Sequence, residues 1–98
     1  MAANFSRAKG PRGFVLSGQW PHADLADHHG ARVAQALSRR LADAMHHRGL
    51  SANRLAAAAD VNRQTIANVL AGTGWPDLLT IASLELALDT DLWPGRRI

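Results

Sequence analysis

The chain has 98 residues, with 11 Lys and Arg against 8 Asp and Glu, a net charge of +3 and no cysteine. This length fits a single domain with a modest core, and the lack of cysteine excludes a disulfide framework and a thiolate metal site. No apolar run is long enough to span a membrane and the N-terminus lacks the apolar block of a secretory signal, so a cytoplasmic location is expected.

Residues 1–21 contain Gly10, Gly13, Gly18, Pro11 and Pro21 and show no helical period, so they read as an N-terminal arm. Arg7, Lys9 and Arg12 make it basic, and such arms lie along phosphates or enter a minor groove. Within it, Phe14, Val15, Leu16 and Trp20 are more apolar than a free tail requires. This stretch is expected to be a short extended segment packed either on its own domain or on a partner protein. Residues 22–30 form a lead-in, expected to be briefly helical with Asp24 or Asp27 near its start.

From residue 31 the pattern changes. Val33, Leu37, Leu41 and Ala44 recur at helical spacing and form the apolar face of a helix ending at Arg48-Gly49. Ser51 is a good N-cap for a second helix carrying Leu55, Ala56 and Ala59, where the small Ala56 lets a crossing helix approach closely. Asp60 stands at a sharp turn and is one of the few non-glycine types that tolerate a positive φ. Val61 plugs the corner. Asn62 caps a third helix whose buried stripe is Ile66, Val69 and Leu70, and Gly72 stops it. Arg63, Gln64, Ala67, Asn68 and Ala71 remain outward. Three of these side chains suit base edges, Arg toward guanine and Gln or Asn toward adenine. Two short helices joined by a tight turn, the second with such a face, read as a helix-turn-helix.

Downstream, Ile81, Leu84 and Leu88 define the core-facing arc of another helix, continued by Leu92. Glu85 lies inside that arc, between Ile81 and Leu78, where an unpaired carboxylate would be costly. It is therefore expected to accept hydrogen bonds from an arginine or from backbone amides. Leu79 and Leu86 share a second stripe about 100° from Leu78. That stripe is either a dimer surface or is covered by the folded-back N-terminal segment. Trp93 is expected to close the bottom of the core, and residues 94–98 form a tail.

These elements resemble the lambda-repressor-like family of phage Cro and repressor DNA-binding domains. The resemblance covers residues 31–93. It implies that the helix through Val33 to Ala44 is the family's first helix, that Trp75-Pro76-Asp77-Leu78 opens its loop and fourth helix, and that a short fifth turn follows near Trp93. In that family the loop after the third helix approaches the DNA backbone, so Trp75 is either a backbone neighbour or a packing residue. Three positions depart from the family pattern. Ala52 replaces a Gln that often contacts phosphate, with Asn53 or Arg54 as substitutes. Asp60 replaces a turn glycine. Met45 and Leu70 stand where many members bury an Arg and a Glu. Because both charges are gone together, no unpaired buried charge is left behind.

The expected fold is all-α, a compact bundle of four to five helices containing a helix-turn-helix, with an N-terminal arm. Residues 31–75 carry six Arg against Asp43 and Asp60, whereas residues 76–98 hold four acids against Arg96 and Arg97. A basic front and a less basic back suit one-sided DNA binding. His22, His28, His29, His46 and His47 form no zinc set, because adjacent histidines on a helix diverge and no cysteine or acid cluster completes one. No metal, cofactor or catalytic constellation is expected. The expected partner is double-stranded DNA, with nucleoid association when bound. Arg63, Gln64 and Asn68 are the candidate base readers. Ser51, Asn53, Arg54, Asn62, Thr65 and Thr73 are the candidate backbone contacts. The expected function is a transcriptional regulator, most simply a homodimeric repressor that occludes an operator. The alternative is an antitoxin-like module that binds a protein through its N-terminal segment and autoregulates through the helix-turn-helix.

Overall fold

A computed structural model describes residues 9–98. Its helices are α1 (His29–Arg48), α2 (Ala52–Ala59), α3 (Arg63–Ala71) and α4 (Leu78–Leu88), preceded by a 3-10 turn at Pro11–Phe14 and two short strands, β1 (Val15–Ser17) and β2 (Asp24–Leu25). Each helix starts at a side-chain cap. His28 Nδ1, Ser51 Oγ, Asn62 Oδ1 and Asp77 Oδ1 accept from the amides of Ala31, Arg54, Gln64 and Thr80. These acceptors satisfy amides that the first helical turn leaves without intrahelical partners.

Each helix also stops in the same way, at a left-handed residue: Gly49, Asp60, Gly72 and Asp89. The following amide returns to the helix: Leu50 to Met45 O, Val61 to Ala56 O, Thr73 to Asn68 O and Thr90 to Glu85 O. This is the Schellman arrangement, with aspartate rather than glycine at φ 55° and 50° in two of the four.

The core joins one stripe from each helix: Leu37, Leu41 and Met45, then Leu55, then Ile66 and Val69, then Ile81, Leu84 and Leu88, closed by Leu92. Met45 is buried and Leu70 packs against the same cluster, so the two positions without the family's charges are apolar contacts.

The N-terminal segment packs on its own domain. β1 and β2 pair antiparallel, Val15 with Leu25 and Ser17 with Asp24, with an irregularity between the two pairs. A polar stripe on α1 at Gln35, Ser38 and Arg39 holds this hairpin. Gln35 Oε1 accepts from the Ala23 amide at 2.9 Å and its Nε2 donates to Ala23 O at 3.1 Å, as a neighbouring strand would. Arg39 donates to Pro21 O at 3.0 Å. Phe14 stacks on His28 with centroids 4.0 Å apart, and Trp75 lies edge-on to Phe14.

Four expectations are corrected. Residues 22–28 hold β2 and bends in place of a helical lead-in, because their backbone is engaged by β1 and Gln35. No helical fifth turn forms near Trp93; the amides of Leu92 and Trp93 instead donate to Glu85 Oε2 at 2.8 and 3.0 Å. Glu85 thus has the backbone partners its position requires. Trp93 does not close the core. Leu92 is fully buried and takes that place in the core, whereas Trp93, next to it in the non-helical chain after α4, is 54% exposed. Leu78 is 81% exposed, because it stands at the first position of α4 and overhangs the end of the core. The N-terminal segment also leaves Leu79 and Leu86 uncovered, at 75% and 85% exposure.

Candidate nucleic-acid interface

The site is built on α2, the turn and α3. Asp60 at φ 55° reverses the chain in a single residue, and the caps at Ser51 and Asn62 fix where each helix starts. Ile66 and Val69 are buried against the core, which by helical spacing turns Gln64 and Asn68 to the opposite side of α3. Arg63 and Gln64 are exposed and Asn68 is half-buried.

Hydrogen bonds order this face. Gln64 Nε2 donates to Asn68 Oδ1 at 3.1 Å, and Thr73 Oγ1 donates to the same oxygen at 3.2 Å. With its carbonyl accepting twice, Asn68 presents amide hydrogens outward. Gln64 retains Oε1 as an acceptor and one further N–H as a donor. Arg63 makes no ion pair among the described residues.

The candidate backbone contacts form a partial frame around α3. Ser51, Asn53 and Arg54 are exposed at the start of α2, and Asn62 is exposed at the start of α3. The oxygens of Ser51 and Asn62 are occupied as caps, which leaves the Ser51 hydroxyl hydrogen and the Asn62 amide hydrogens for phosphate oxygens. Thr73 is exposed just beyond α3. Thr65 is half-buried, in a cleft of about 280 Å³ shared with Asn68, Trp75 and Asp77. Trp75 donates from Nε1 to Lys9 O at 3.0 Å, so it is a packing residue that ties the N-terminal segment to the loop after α3. Lys9 Nζ lies 4.6 Å from the Phe14 ring centroid, and Arg12 is exposed; Arg7 lies outside the described residues.

A family model described as helix-turn-helix matches residues 41–92, which include all of α2, α3 and α4. The chain belongs to the helix-turn-helix family. The type is that of the lambda-repressor-like regulators, and membership makes the protein a DNA-binding transcription regulator. A similar solved structure is the restriction-modification controller protein C.AhdI from Aeromonas hydrophila. It is 29% identical with a TM-score of 0.54, over 60% of this chain and 86% of that one. No curated protein matches the chain. Among the described residues of this helix-turn-helix protein, no helix is long and apolar enough to cross a membrane.

Sequence reasoning missed the residues that fasten the N-terminal segment to this regulator's third helix. Ser38 is fully buried; its Oγ accepts from Trp20 Nε1 at 3.1 Å and donates to Leu70 O at 3.1 Å. The Trp20 ring lies so close to Gly72 that a Cβ there would meet it at 2.5 Å. The available signal was the i, i+3, i+4 run of Gln35, Ser38 and Arg39 on an otherwise apolar helix flank.

Proposed function

We propose that this protein is a sequence-specific repressor that binds double-stranded DNA as a dimer and acts by operator occlusion. The observation that carries the reading is the outward face of α3, where Arg63, Gln64 and Asn68 stand free of the core and two of them are held in register by hydrogen bonds. Arg63 suits a guanine edge. Gln64, with one acceptor and one donor free, suits adenine, whereas Asn68, with its oxygen engaged, suits an acceptor atom on a base. Ser51, Asn53, Arg54, Asn62, Thr65 and Thr73 set the register on phosphates. The likeness to the Aeromonas controller protein supports the regulatory part of the reading.

The dimer reading is supported by Leu79 and Leu86, which lie seven residues apart on one exposed stripe of α4. Exposed leucines on a small domain favour a partner surface, and two-fold pairing is the commonest solution. The antitoxin-like alternative rested on the apolar N-terminal segment. Phe14 and Trp20 are spent on packing within the chain, and Leu16, 73% exposed, is what that segment leaves outward.

Selection of bound duplexes from a random pool tests the reading. The expected result is a palindromic site with half-sites about 34 Å apart and a steep salt dependence, each phosphate contact adding about 0.9 to the log–log slope. Failure to bind any duplex at low salt, or binding without sequence preference, overturns it.

A further inference from the structure

The C-terminal end of α3 is an unfavourable neighbour for DNA on electrostatic grounds, because the last carbonyls of a helix carry partial negative charge. Here the N-terminal hairpin covers that end. The Arg12 amide donates to Gly72 O at 2.8 Å, and Ser38, held by Trp20, donates to Leu70 O. Gly10 sits so close to Thr73 that a Cβ on it would lie 2.8 Å from the Thr73 carbonyl oxygen. Contacts at Gly72, Leu70 and Thr73 therefore fix the segment against the corner where the recognition helix ends.

Two polar side chains are placed by this clamp. Arg12 and Gln19 are exposed and, with Ala71 of α3, line a cleft of about 340 Å³. Arg12 has no ion-pair partner among the described residues; Asp24 is bonded to Ser17 and Asp27 is paired with Arg32. By helical spacing Ala71 shares its side of α3 with Gln64 and Asn68. The Arg12 amide is fixed on Gly72 O, which puts a cation next to the anion-repelling helix end.

We propose that the hairpin is a second DNA-contacting element, in which Arg12 binds a phosphate on the strand bordering the groove that α3 enters and Gln19 donates to the same stretch of backbone. This rests on the DNA-binding reading of α3 and adds a fixed contact beyond the helix-turn-helix. A phosphate contact carries no sequence information, so the hairpin raises affinity for all duplexes and lengthens the footprint.

The test is equilibrium binding of the full chain to its selected duplex and to a random duplex over a range of salt, with hydroxyl-radical footprinting. Arg12→Ala is expected to weaken both duplexes by the same factor, to lower the log–log slope by about 0.9 and to expose one flank of the footprint. Arg12→Lys should restore the slope. Gln19→Ala should weaken binding with the slope unchanged, because a neutral donor releases no counterion. The Arg12 side chain makes none of the clamping bonds, so circular dichroism should be unaltered in these variants; Arg12→Gln, which keeps the side-chain stem, carries the same expectation as Arg12→Ala. Wild-type protein that selects a specific duplex, with Arg12 variants that leave slope and footprint unchanged, overturns the hairpin proposal alone. Wild-type protein that binds no duplex overturns both readings.

Discussion

The side chain of Asn68 is held by two neighbours. Gln64 and Thr73 both donate to its oxygen, so its outward edge is a donor edge. Asn68→Ala should cost about 1 to 3 kcal/mol on the selected duplex. Asn68→Asp keeps both intramolecular acceptor bonds but turns an acceptor toward the DNA, so it should bind more weakly than the alanine variant. Competition binding on the selected and random duplexes checks the ranking, and equal losses on both would remove Asn68 from base reading. Asp60 shows a different constraint, a backbone one. At φ 55° it occupies a region that costs L-residues roughly 1 kcal/mol and glycine almost nothing. Asp60→Gly should therefore raise stability by up to about 1 kcal/mol, read as a higher denaturant midpoint with an unchanged slope. DNA binding should be retained, because the turn geometry is already that of glycine.

At the scale of the element, the four helices are short segments made stable by their ends as well as by their buried stripes. Ser51 caps the eight-residue α2, and Ser51→Ala should cost about 1 kcal/mol of stability in chemical unfolding. Asp77 caps α4, and its hydrogen bonds with the Thr80 side chain and amide hold its carboxyl below the ordinary value of 3.8. A folded-state pKa below the unfolded one means that the carboxylate stabilises the fold above the unfolded value, and that this contribution disappears as the pH falls through the folded value. Asp77→Asn keeps a capping oxygen but has no proton to gain. Its loss of stability between pH 5 and pH 2 should therefore be smaller than that of the wild type, as followed by thermal melting at a series of pH values.

For the whole molecule, exposed polar side chains and exposed leucines fall on different elements. Arg63, Gln64 and Asn68 lie on α3, whereas Leu79 and Leu86 lie on α4 with Asp89 and Asp91 just beyond its end. If two copies pair through that leucine stripe, a palindromic site requires both α3 helices to face the same side of the DNA, one helical turn apart. Leu86→Asp should give a folded monomer whose binding to the two-half-site duplex is weakened far more than its binding to a single half-site. Sedimentation and circular dichroism measured together check this. Wild-type protein that is monomeric at micromolar concentration, both free and on its duplex, would rule the dimer out.

By itself the sequence determined the helices around the turn, their caps, their stripes and the outward α3 face. These depend on residues no more than a few positions apart, through 3.6-residue periodicity and capping chemistry. It also determined that Glu85 needed hydrogen-bond donors, because a carboxylate within an apolar arc has few alternatives. The tertiary structure decided what periodicity does not encode. Angle around a helix axis is legible from spacing but height along the axis is not, so Leu78 looked buried and overhangs the core. Leu92, and not its neighbour Trp93, enters the core. The N-terminal segment was undecided between its own domain and a partner because its contacts are remote in sequence. Trp20 bonds Ser38 across 18 residues, and Trp75 bonds Lys9 across 66. Contacts over such distances have no local signature, and only the packed chain shows that the segment covers the end of the recognition helix.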